Sequence, residues 1–152
     1  MPEQLDLFSE PSKNVTDPPN VLRTPNSRRI LYFDLETQKS ADEVGGWENT
    51  HYMGLAVGVV WDSLEEKYFC YLEDDASQLV EKLQAADLVV GFNVKKFDYS
   101  VLQPYTDFDL GEIATFDMLD DIKAKLKHRL SLNHLAENTL NAKKSADGLI
   151  SL

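Results

Sequence analysis

The feature that most constrains this chain is a change of rhythm near residue 73. Three β-type runs come first, "RILYFDLE", "YMGLAVGVVWD" and "EKYFCYL", and the last two are joined by a short polar turn that reads as a hairpin. Helical and strand patterns alternate afterwards. "DASQLVEKLQAA" carries Leu79, Val80 and Leu83 on one face of an amphipathic helix. "DLVVGFN" is a continuous apolar run, as a strand buried on both faces requires. "FDYSVLQPY" reads as a short helix stopped near Pro104, and "EIATFD" as a strand. Two further helices follow, one from about Met118 to Lys127 and one over "SLNHLAENTL", with Asp117 and Ser131 as their N-caps. Antiparallel strands followed by β/α alternation predict an α/β fold, a mixed sheet flanked by helices. A chain of 152 residues fits one such domain.

Residues 1–28 hold five of the six prolines among Ser, Asn, Thr and Asp, so a flexible tail is expected before a domain over residues 29–152. No apolar stretch approaches the roughly 20 residues that span a bilayer, so no membrane partner is expected. The single cysteine, Cys70, and the lack of a basic-then-apolar leader point to a reducing, cytoplasmic setting. A net charge of −11 argues against nucleic acid as a partner. Its distribution argues back: residues 123–152 hold six basic groups and two acidic ones. A solvated helix end and a phosphate-facing patch are equally open readings of that cluster.

Candidate chemistry begins with Asp34 and Glu36 in "ILYFDLETQ". Alternation along a strand puts both carboxylates on one face, where they repel unless a cation lies between them. Oxygen-ligand cations of the Mg²⁺ type are the natural partner. The bland reading is two solvated acids at a strand end, since an acid pair at this spacing is common. Asp98, in "GFNVKKFDYSVL", adds a third acid near the C-terminal edge of a central strand, where α/β sheets place their sites. An acid in the first turn of any helix explains Asp98 equally well.

"FDLET" followed by "GFNVKKFD" resembles the first two motifs of the DEDD 3′–5′ exonucleases, and "RLSLNHLAENTLNAKKSADGL" is similar to the segment before the third motif in bacterial predicted exonuclease domains. The likeness runs from Arg29 to the chain end. It implies a ribonuclease H-like mixed sheet, with the first three strands antiparallel and the later ones parallel. It also implies two Mg²⁺ or Mn²⁺ ions held by acids that hydrolyse phosphodiesters at nucleic acid 3′ ends. Carried over, Asp34 would bridge both ions, Glu36 would orient the attacking water, and Asp98 would hold the second ion. Asn93 and Phe97 would position the helix that carries Asp98, and Leu35 would line a pocket for the terminal base. Lys95 and Lys96 would approach a phosphate, though solvent exposure explains them as well. The family's fourth acid is not found: Asp147 falls too early, and Asp117 is better read as an N-cap. A C-terminally truncated domain is therefore expected, and a catalytically impaired adaptor that keeps the fold is the alternative to an active exonuclease.

"QLDLF", from Gln4 to Phe8, is an apolar island in the tail. It resembles the linear motif with which bacterial replication and repair proteins bind the sliding clamp, and this implies contacts from Gln4, Leu5, Leu7 and Phe8. Trp47, after "VGG", is read first as an anchor of its loop on the core and second as a surface on which a base stacks.

Overall fold

The computed structural model describes residues 3–4 and 27–142. Within them, six strands form one sheet in the order β1-β4-β3-β2-β5-β6. The strands are β1 (Glu3–Gln4), β2 (Ile30–Thr37), β3 (Leu55–Asp62), β4 (Lys67–Leu72), β5 (Leu88–Gly91) and β6 (Thr115–Asp117). β2, β3 and β4 are joined by antiparallel ladders, whereas β5 runs parallel to β2 and β6 parallel to β5. The helices are α1 (Ala41–Val44), α2 (Ala76–Gln84), α3 (Asp98–Leu102), α4 (Met118–Leu126) and α5 (Leu132–Leu140). This mixed sheet with flanking helices is the ribonuclease H-like architecture that the sequence implied.

β2 sits at the centre and reads both ways along its length. Leu31, Phe33 and Leu35 are buried, while Tyr32 and Asp34 between them are exposed. The buried set packs with Leu79, Val80 and Leu83 of α2 and with Val101 and Leu102 of α3. Burying each such side chain contributes about 1.5–3 kcal/mol. That face fixes the register, because a slip of one residue would turn Asp34 into the core. On the opposite face Tyr32 lies beside Trp61, and Trp61 beside Tyr68, a row of aromatic residues across three strands.

The expected caps form. Asp117 accepts the Leu119 N–H at 3.0 Å at the start of α4, and Ser131 accepts the His134 N–H at 3.1 Å at the start of α5. Asp120 and Asp121 occupy the first turn of α4 and Lys123 and Lys125 its last, which favours the helix dipole.

Two expectations change. The second strand begins at Leu55 rather than Tyr52, because the preceding residues form 3-10 turns over Trp47–Tyr52 and Met53 is drawn into the core. The tail is also not wholly separate. Glu3 and Gln4 pair antiparallel with Cys70 and Phe69, adding a short strand to the open edge of β4. Among the described residues, no helix is long and apolar enough to cross a membrane.

Candidate functional site

The site lies where the β2–β5 ladder ends. The last paired residues are Tyr32 and Val90, so β2 runs on past the end of its ladder with β5 through Phe33, Asp34 and Leu35. Gly91 closes the end of β5 at a point too tight for a side chain. A Cβ there would stand 3.0 Å from the Phe33 carbonyl oxygen and 3.0 Å from the Val94 Cβ. The chain then turns through Asn93, at a φ of 60°, a left-handed conformation that asparagine tolerates better than most residues.

That turn is held by Asp117, a role the sequence did not disclose. Its buried carboxylate accepts the Asn93 N–H at 2.8 Å, the Lys95 N–H at 3.1 Å and the Leu119 N–H of its own helix. One side chain thus ties β6 and α4 to the loop that delivers α3. The N-cap signal was legible, but the bonds to residues 93 and 95 span 24 and 22 positions and no local pattern could reveal them.

α3 begins with Asp98, which is only 2% exposed. Its carboxyl group lies close to the backbone of Leu35, and Oδ1 has no hydrogen-bond partner. Burial first, and then the charge of Asp34, push its pKa up to about 8; the backbone dipoles of Asp98 and Leu35 oppose the shift, and Asp117 adds to it. A buried carboxyl oxygen left without a partner costs free energy, so such atoms are rare in proteins.

Asp34 stands at the surface on the outward face of β2. With Tyr32, Trp61, Tyr68, Met118 and Leu132 it lines a cavity of about 740 Å³. Glu36 is half-buried two residues further on, just before an irregularity in the ladder at Thr37. The structure therefore brings Asp34 and Asp98 into electrostatic contact at one sheet edge. Among the described residues, however, no group of three His, Cys, Asp or Glu side chains is arranged to hold a metal ion. The cradle of three acids expected from the sequence is not among such groups: Asp98 is buried, Glu36 half-buried and Asp34 exposed.

The other expected site residues divide by exposure. Leu35, expected beside a terminal base, belongs to the core at 5% exposure. Asn93 is half-buried and serves the turn. Lys95 and Lys96 are exposed, and the Lys95 ammonium lies 4.0 Å from Asp120. Gln4 belongs to β1, whereas Leu5, Leu7 and Phe8 lie outside the described residues.

In fold, the chain is similar to the family B DNA polymerase from the hyperthermophilic archaeon Pyrobaculum calidifontis, with a TM-score of 0.57 over 80% of this chain. That likeness establishes the fold. At 19% identity it carries no more, and the chain spans only 19% of the polymerase's length. No family model matches the sequence, and no curated protein does.

Proposed function

We propose that this chain is a metal-dependent 3′–5′ exonuclease-like domain that hydrolyses terminal phosphodiesters of DNA or RNA. The observation that supports it is the orphaned Oδ1 of Asp98, a buried carboxyl oxygen beside a second acid at the open end of a central strand. An apolar residue would fill that position at lower cost, and a cation would give the oxygen its partner. The donor set is all oxygen, which suits ions of the Mg²⁺ or Mn²⁺ type. Asp34 and Asp98 would hold the ions, and Glu36 would join them on the same strand. Such ions supply Lewis-acid stabilisation of phosphoryl oxygens and a more acidic water.

The remaining roles belong to the chain itself. Asp117 fixes the turn from which α3 starts. Lys95 and Lys96, exposed on that same turn, meet the phosphates of the strand. Degradation of a 3′-labelled single strand in Mg²⁺ or Mn²⁺ tests the reading. Asp34→Asn and Asp98→Asn should each reduce it to background while the circular dichroism spectrum is unchanged. Digestion that persists in both variants refutes it.

The absence of a three-acid group among the described residues favours a second reading, a catalytically impaired adaptor that binds nucleic acid and, through Gln4, Leu5, Leu7 and Phe8, the bacterial sliding clamp. Clamp binding lost in Leu7→Ala and Phe8→Ala, with no digestion by any variant, would support the adaptor.

A further inference from the structure

Trp47 departs most from its expected role. It does not anchor its loop in the core; it is 71% exposed, a large apolar surface left open to solvent. Its position is nevertheless fixed. Gly45 and Gly46, at φ of 88° and 133°, turn the chain sharply out of α1. The Asn49 side-chain amide then donates to the Val44 carbonyl at 3.0 Å. Thr50, buried, shares a hydrogen bond with Ser100 of α3, and the next turn closes on the buried Met53. The indole meets Phe97 with ring centroids 6.1 Å apart and planes at 60°. Phe97 immediately precedes Asp98 and packs against the core.

A rigid, solvent-facing indole therefore stands one ring away from the helix that carries the buried acid. Lys95 and Lys96 lie on the other side of the same phenylalanine in the chain. Tyr52, 64% exposed and tilted at 44° against His51 with centroids 4.0 Å apart, is a second exposed aromatic ring of the same segment. Flat aromatic surface left open to solvent is the chemistry on which the bases of a single strand stack. A loop tied down by the Asn49 side-chain amide and the buried Thr50 gives such a surface less entropy to lose on binding.

We infer that Trp47 is a stacking platform for an unpaired base next to the Asp34–Asp98 edge, so that this site takes single-stranded or frayed ends. The inference rests on the nucleic-acid reading above and names the residue that selects its substrate. Trp47 is a positioning residue and makes no contribution to bond cleavage.

The test uses a fluorescein-labelled thymidine hexanucleotide and an abasic hexamer of the same phosphate backbone, titrated in Ca²⁺ against the full chain. Trp47→Ala should weaken binding of the thymidine hexamer about ten-fold and leave the abasic hexamer unchanged. Trp47→Phe should restore most of the loss. In a Trp61→Phe background, where Trp47 is the remaining tryptophan, the thymidine hexamer should quench emission and the abasic hexamer should not. Unchanged affinity in Trp47→Ala, or an equal loss for both hexamers, overturns the platform. The two readings fail separately. Digestion lost in Asp98→Asn, with binding of the thymidine hexamer unaltered in Trp47→Ala, removes the platform and leaves the nuclease. Base-dependent quenching without digestion by any variant keeps the platform and removes the nuclease.

Discussion

Two buried aspartates at opposite ends of the central sheet are treated in opposite ways. Asp62, at the end of β3, is fully buried among cations: Lys82 donates to its Oδ2, and the Arg29 Nε lies 3.2 Å from the same oxygen. The Leu64 N–H reaches Oδ1 at 2.9 Å. Burial alone would raise its pKa, but the Lys82 hydrogen bond, the Leu64 N–H and the nearby positive charges outweigh burial and hold it below the usual carboxylate range. Asp98 is buried almost as completely beside another acid, burial and the charge of Asp34 dominate its electrostatics, and Oδ1 is left without a partner. The first arrangement is what stability asks of a buried charge. The second opposes stability, and sites that do so are where function is to be sought.

The largest difference should appear when the acids are removed. Asp62→Ala leaves Lys82 and Arg29 without their central partner and should cost about 3–5 kcal/mol in urea unfolding. Asp98→Asn should cost nothing comparable in divalent-free buffer. A similar loss at both positions would erase the contrast.

Asp117 stands between the two cases, an acid whose oxygens are fully used by backbone donors. Asp117→Ala strands three N–H groups and should cost about 1–3 kcal/mol. It should also weaken hydrolysis, because the turn carrying α3 loosens, whereas Asp62→Ala should not at temperatures where the variant is folded. Equal effects of the two on hydrolysis would remove the positioning role of Asp117.

The smallest effect is in pH dependence, where the signs are opposed. Asp98 has a raised folded-state pKa, about 8, so the native state holds a proton that the unfolded chain has already lost. Its contribution is fully present below the ordinary aspartate range and disappears as the pH rises through about 8. Asp62 has a lowered pKa, so its contribution is present above the ordinary range and is lost as the pH falls through the lowered value. In divalent-free buffer Asp98→Asn should flatten the decline in melting temperature between pH 6 and 9, a change of a few degrees. A decline as steep in Asp98→Asn as in the native chain would contradict the assignment.

The sequence made much of this visible because the central patterns are local. Alternation along β2 announced that Asp34 and Glu36 share a face, though not that Leu35 belongs to the core, and the spacing of Leu79, Val80 and Leu83 announced α2. The N-caps at Asp117 and Ser131 are equally local. What remained hidden depends on partners far along the chain. The 3-10 turns over Trp47–Tyr52 are held by Ser100, fifty residues from Thr50, so their apolar ends looked like strand. The short strand Glu3–Gln4 exists because β4 offers an open edge, and its own sequence has no strand signal. The enclosure of Asp98, 2% exposed, is likewise not recorded by any pattern around it.

The central claim is that Asp34 and Asp98 form one cation-binding acid pair at that edge. Isothermal titration of MnCl₂ into the native chain, Asp34→Asn, Asp98→Asn and the surface control Glu112→Gln tests it without reliance on turnover. Each of the first two substitutions should weaken binding about ten-fold or more, and the control should match the native chain. Four superimposable isotherms would contradict the claim.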